Sequence, residues 1–298
     1  MARTNCATRR TRRPGGDPWP PKERGPSKHM SATRSRESGT HNWRRLRPLG
    51  IPGLRMTMEE LPPPTRRIPL VVPWSLRKRL YTWHPGRARR WRTLPGLQRV
   101  TGDRAVLTFD DGPEPDATPR VLDQLDQLDV HATFFLLGTE VRRAPDLARR
   151  IVAAGHEVGL HGFAHPSYDK LSAAQAKEDL EQGLEAIEAA TGLRPRWFRP
   201  PYGKLSAVSH RVCLSMNLRV VYWSAWGLDW EEIGADAICS EVVSALAPGA
   251  IVLLHDAASY GRRSSARPTA DAIRPIVDHG RQLGLTWTTL SGATAVRS

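Results

Sequence analysis

The chain has 298 residues, enough for one large domain or two small ones, and its composition (40% hydrophobic, 25% charged) excludes a fibrous or wholly unstructured protein. The net charge of +14 is unevenly spread: residues 1–100 hold 24 Lys+Arg against 5 Asp+Glu, and the remainder hold 20 against 25. The high pI therefore belongs to the first third alone, and three cysteines (Cys6, Cys213, Cys239) exclude a disulfide framework, so that buried free thiols are the expectation.

From Met1 to about Leu61 the chain is Arg, Pro, Gly, Ser and Thr with neither helical nor strand periodicity, which predicts a disordered basic tail over 1–61. A nucleic-acid or anionic-surface arm is one reading of it, but no nucleic-acid motif accompanies the charge. A tail without a role, or an upstream start codon ahead of Met30, Met56 or Met58, fits better. Residues 62–100 read as a Pro-rich linker or packing arm. No run of about 18 apolar residues exists to span a membrane, and no apolar h-region follows the N-terminal charge. The expectation is a cytoplasmic monomer without a membrane or nucleic-acid partner. An extracytoplasmic location follows if the start is misassigned.

At Arg104 the pattern changes. Ala105–Phe109 is an apolar run ending in an Asp-Asp-Gly-Pro turn; Val121, Leu122, Leu125 and Leu128 then recur at helical spacing. Further strand-like runs lie at 132–137, 157–160, 197–198, 219–223, 250–254 and 285–289. Helical stretches separate them, at 147–152, 180–187, 204–217, 235–247 and 269–283. Short apolar strands alternating with helices predict parallel β/α units, and about seven units in under 200 residues favour an α/β domain over 101–298 with a closed or nearly closed barrel rather than an open sheet.

In such a protein the reactive side chains gather at the C-terminal ends of the strands. The first strand ends in Asp110-Asp111-Gly112, the third in His161 with His165 four residues on, and the fourth in Arg199-Pro-Pro-Tyr-Gly203. Trp226, Asp229 and Trp230 follow the fifth, and the sixth ends in His255-Asp256. Two imidazoles and a carboxylate are a ligand set for a divalent cation with open positions left over. The spacing of His161 and His165 predicts one face of a turn or helix start. Adjacent aspartates leave a strand end in different directions, so one can ligate while the other accepts a proton, and His255 can protonate a leaving amine. Singly, each has a plain structural alternative: a turn, an ion pair, a core tryptophan. Their joint placement on five strand ends favours a site.

These segments, in this order, resemble the polysaccharide deacetylase family, also called the NodB-homology domain or carbohydrate esterase family four. The first motif stands as Thr108-Phe-Asp-Asp-Gly112, the second as His161-Gly-Phe-Ala-His165 and the third as Arg199-Pro-Pro-Tyr-Gly203. The fourth is Trp226-Gly-Leu-Asp229-Trp230, and the fifth is Ile251-Val-Leu-Leu254-His255. The resemblance covers about 103–290 and implies a distorted (β/α)7-type barrel, with Asp111, His161 and His165 as metal ligands. It also implies Asp110 as the base held by Arg199, the Tyr202 backbone N–H on the oxyanion, and His255 as the acid steadied by Asp229. Tyr202, Trp226, Trp230 and Leu253 (or Leu254) would line the substrate pocket. Two departures stand out: Gly162 replaces a Ser or Thr, and Trp226 replaces an Asp. The implied activity is metal-dependent removal of N-acetyl, or O-acetyl, groups from an acetylated glycan such as peptidoglycan or chitin. Zn2+ is the first candidate for the metal and Co2+ or another divalent ion the alternative. Hydrolysis of another small amide, or non-catalytic carbohydrate binding, are the competing readings.

Overall fold

The structure, a computed structural model, describes residues 94–295. The predicted tail (1–61) and all of the predicted arm (62–100) except residues 94–100 lie outside the described residues.

Eight parallel strands form the sheet: β1 (Arg104–Asp110), β2 (Thr133–Leu136), β3 (Glu157–Leu160), β4 (Trp197–Phe198), β5 (Arg219–Val220), β6 (Ala225–Trp226), β7 (Ile251–His255) and β8 (Thr286–Trp287). Seven follow one hydrogen-bonded path, β5-β4-β3-β2-β1-β7-β6, and β8 pairs with the first two residues of β1. The path's two ends do not pair with each other, which makes this the distorted barrel that the family resemblance implies. Residues 97–100 run across the opening. Leu97 bridges Val221 next to β5, Arg99 bridges Ala250 at the foot of β7, and the Val100 N–H donates to Gly249 O. Strand β6, Ala225–Trp226, was not anticipated; two residues carry no periodicity.

The inner strands read as unbroken apolar runs because both faces are covered, by helices outside and packed side chains inside. From Ala105 onward β1 is buried throughout, as is all of β2. Helices α1 (Thr118–Gln127), α2 (Gly138–Arg143), α3 (Pro145–Ala153), α4 (Ala173–Thr191), α5 (Ala207–Ser215), α6 (Ala235–Ala245), α7 (Arg267–Gln282) and the short α8 (Leu290–Thr294) supply the outer layer. Helix α4 starts in a reciprocal capping box between Ser172 and Gln175 and stops at left-handed Gly192, so both of its ends are written locally. It packs against the loop after β3, where its Asp179 accepts from the Phe163 and Ala164 N–H groups. Cys213 is buried and Cys239 half-buried, and both are free thiols. Among the described residues no helix is long and apolar enough to cross a membrane.

Strand alternation decides between the two leucines of β7. A Cβ on Gly227 would meet Leu254 Cδ2 together with Ile238 and Val242 of α6, so Leu254 packs under the outer helix. Leu253 and His255, of opposite parity, face the other way, into the barrel.

Candidate active site

Parallel strands all point the same way, so their C-terminal ends share one rim, and the predicted residues meet there. Asp110 is the last residue of β1 and pairs in register with His255 of β7. His161 follows β3 and Arg199 follows β4, each continuing the ladder through its backbone N–H, to Leu136 O and Leu160 O respectively. Of the six non-glycine residues with positive φ among those described, four (Asp111, His165, Tyr202 and Leu228) lie in these rim segments. A left-handed conformation costs such residues roughly 1–3 kcal/mol each, a strain that collects where backbone must be aimed rather than relaxed.

The three candidate metal ligands lie close together. One candidate ligand atom from each of Asp111, His161 and His165 lies within 4.8 Å of the other two, and all three residues are buried. Asp111 Oδ1 lies 3.3 Å from His161 Nε2 and 3.2 Å from His165 Nε2, yet it makes no hydrogen bond. His161 Nδ1 bonds the Arg199 carbonyl at 2.7 Å; a carbonyl can only accept, so Nδ1 holds the ring proton and Nε2 presents its lone pair. Burial pulls the His165 pKa down, which favours the neutral, ligating imidazole. Burial opposes charge on Asp111, but the two imidazoles and the charge of His255 outweigh it and hold the carboxyl below the usual carboxylate range. An ionised oxygen and two imidazole nitrogens converging on one point fit a divalent cation. The two histidines sit on a loop rather than on one face of a helix start: Gly162 has φ +95° and His165 φ +59°.

Two buried ion pairs flank this set. On one side Arg199, fully buried, donates to Asp110 Oδ1 at 2.8 Å, to Thr108 Oγ1 at 2.6 Å and to Tyr222 O at 2.9 Å, with its guanidinium over the Phe135 ring. That leaves Asp110 Oδ2, 3.9 Å from His161 Nε2, as the oxygen turned toward the cation position. On the other side the Asp229 carboxylate takes the His255 backbone N–H at 2.8 Å and bonds its ring Nδ1 at 2.9 Å. Both contacts leave His255 Nε2 as the nitrogen available to a substrate. Tyr202 is just over half exposed and sets its ring edge-on to His165. Trp226 and Trp230 are half-buried and form a chain of ring contacts that ends on the His255 imidazole.

Three contributors, Arg263, Thr269 and Tyr260, escaped the sequence, and a fourth, Asp256, was read only as a rim residue without a role. Buried Arg263 donates to Asp229 Oδ2, Thr269 Oγ1 and the carbonyls of His255 and Ala257, and Thr269 in turn donates to Asp229 Oδ2 at 2.8 Å. Tyr260, partly exposed, stacks on the His165 ring at 4.0 Å. Asp256 is buried against Gly112, where a Cβ would overlap its carboxyl group, and accepts from Thr118 at 2.6 Å. Burial, with Asp111 and Asp110 nearby, pushes the Asp256 pKa up to about 7. Only the Arg-Arg pair at 262–263 was a visible signal, and nothing in it marks which arginine turns inward.

His255 carries a pH signature. Burial lowers its pKa, but the charge and hydrogen bond of Asp229, together with Asp111 and Asp110, raise it from 6.5 to about 9. A raised folded-state pKa gives stability that is whole below the unfolded value and fades as pH climbs through the folded one. The metal-free protein should thus hold an advantage over His255→Gln at pH 6 that shrinks between pH 6.5 and 9, as read by urea unfolding of both across that range. A pH-independent difference between the two would remove the Asp229–His255 coupling from the account.

The polysaccharide deacetylase family model matches residues 98–221. Over 168 residues the chain is 44% identical to a chitooligosaccharide deacetylase of Bradyrhizobium sp. (strain ANU 289), an alignment spanning 56% of this chain and 77% of that one. Among solved structures, a peptidoglycan N-acetylglucosamine deacetylase superposes with TM-score 0.63 at 28% identity, covering 69% of this chain and 94% of its own. A pseudoenzyme of carbohydrate esterase family four from Bacillus anthracis superposes with TM-score 0.61 at 28% identity, covering 67% and 68%. The same fold thus occurs with and without activity, which leaves the rim residues to carry the functional argument.

Proposed function

The chain belongs to the polysaccharide deacetylase family, and from that premise we propose that it is a metal-dependent hydrolase that removes N-acetyl groups from an amino-sugar polymer or oligosaccharide of the chitin or peptidoglycan type. The observation that carries the reading is the three-ligand cluster with a carboxylate–arginine pair on one side and an imidazole–carboxylate pair on the other. A binding module has no use for a second buried carboxylate beside the first.

When bound by Asp111, His161 and His165, a divalent cation would polarise the acetamide carbonyl and acidify the attacking water. Zinc suits one carboxylate and two imidazoles, and cobalt suits the same set. Asp110 takes the proton from the attacking water. Arg199 holds it in place. The backbone N–H of Tyr202 donates to the developing oxyanion; one such donor is worth about 3 kcal/mol of transition-state stabilisation. His255, protonated and oriented by Asp229, delivers its proton to the amine nitrogen as the C–N bond breaks, and acetate departs. Leu253 lines the barrel side of the pocket for the acetyl methyl, and Tyr202, Trp226 and Trp230 offer ring faces to the sugar.

Acetate release from chitin oligomers, peptidoglycan and acetylxylan, before and after chelation, tests the whole scheme. The expected result is release from the N-acetylated polymers that chelation abolishes and added zinc restores. A chelated protein, shown to be metal-free, that kept its rate would sink the reading. Release from acetylxylan alone would move the substrate class to O-acetyl esters.

A further inference from the structure

His161 and His165 stand at the two ends of a five-residue loop, and a loop of that length does not hold two imidazoles in place by itself. The loop carries Gly162 at φ +95°, a backbone conformation that L side chains rarely adopt. Its middle is gripped from helix α4. Asp179 accepts the Phe163 N–H through Oδ2 at 2.8 Å and the Ala164 N–H through Oδ1 at 3.2 Å, one carboxylate spanning two successive amides. The buried Tyr168 hydroxyl donates to the same Oδ2. Tyr168 is itself anchored, its carbonyl taking a 2.7 Å bond from Ser209 at the start of α5 and its backbone bridging Leu205.

Space around the loop is fully used. A Cβ at Gly162 would stand 2.8 Å from Asp179 Oδ2 and 2.9 Å from the Tyr168 hydroxyl, and a Cβ at Gly183 would stand 3.0 Å from the carbonyl of Gly162. Asp179 and Gly183 are four residues apart on one face of α4, so the helix meets the loop backbone to backbone, with the carboxylate filling the room where a side chain at 162 would begin. From the opposite side the first turn of α2 donates to the loop carbonyls, Gly138 N–H to Gly162 and Thr139 N–H to Phe163, both at 3.0 Å.

We infer that Asp179 and Tyr168 are positioning residues for the metal site, setting the separation of His161 and His165, and that glycine at 162 is the partner this clamp requires. The inference rests on the metal-binding reading above. It also accounts for the departure at 162: with the carboxylate reaching in from α4, a hydroxyl-bearing residue there has no room.

Zinc affinity of the purified full chain, measured by competition with a chromophoric chelator, tests it with a readout other than turnover. Asp179→Asn keeps the volume but turns an amide NH2 toward one of the two N–H donors. It should weaken zinc binding roughly 10- to 100-fold, the usual effect of losing a partner that orients a ligand. Tyr168→Phe should weaken it several-fold, and it decides the matter should Asp179→Asn not fold. Gly162→Ser should weaken it at least as much as Tyr168→Phe does. Circular dichroism and metal-free melting temperatures separate lost affinity from lost fold. Folded variants that bind zinc within twofold of wild type overturn the inference alone, whereas a wild-type protein that does not bind zinc overturns the metal reading and this one with it.

Discussion

Asp110→Asn is expected to lower the rate of acetate release by about 10²- to 10⁴-fold, the range for losing a positioned general base, while bound zinc stays within twofold of wild type. The reasoning is geometric. Asparagine has the same outline, and its carbonyl oxygen can still accept from Arg199 where Asp110 Oδ1 now does, at 2.8 Å. The amide nitrogen then occupies the place of Oδ2, the atom turned toward the cation position, and it cannot accept a proton. The three ligand atoms belong to other residues and are untouched. The substitution also leaves the Arg199 charge buried without its counter-ion. Breaking such a pair costs roughly 3–5 kcal/mol, so a melting curve must accompany the assay. The Thr108 and Tyr222 acceptors remain to hold the guanidinium. A folded, zinc-loaded Asp110→Asn retaining a tenth or more of the wild-type rate would place the base elsewhere.

His161→Ala should behave differently, losing zinc and activity together. Three protein ligands are the minimum of an open catalytic site, and His161 also makes the 2.7 Å bond to the Arg199 carbonyl that sets its tautomer. Its removal therefore takes away one ligand and frees the carbonyl that joins the metal loop to β4. Metal content by atomic emission should fall well below one equivalent, with the residual rate tracking residual zinc. Full zinc occupancy in His161→Ala would dissolve the ligand set. The two variants together separate chemistry from metal binding, which neither does alone.

How far the site was legible follows from what each residue depends on. Asp110, His161, Arg199 and His255 were readable because they end apolar runs, and parallel strands carry all such ends to one rim. Asp229 was placed through the motif it sits in, and the structure seats it under the His255 ring and backbone. Arg263 was not readable: Arg262 beside it is two-thirds exposed at its side chain while Arg263 is almost fully buried, and no periodicity in that loop tells them apart. Asp179 lies in Lys-Glu-Asp-Leu-Glu-Gln, a stretch that reads as a solvated helix face, and only the packing of α4 on the metal loop gives its charge a task. For His161 and His165 the spacing left a turn or a helix start open, and the structure has the turn. Four-residue spacing is shared by helices and tight loops, and left-handed Gly162 and His165 choose the loop.

The succession of strands and helices, apart from Ala225–Trp226, and the rim on which the reactive groups gather were written along the chain, because each depends on local apolar runs and on residues that terminate them; the proposed ligand set was read from the family's motifs. Which oxygen of Asp110 faces the cation position, which leucine of β7 looks inward, which arginine steadies Asp229 and what grips the metal loop were decided only in three dimensions. Each is a choice between neighbouring atoms or residues of the same chemistry, and it is made by contacts that come from 15 to 89 positions away in the chain.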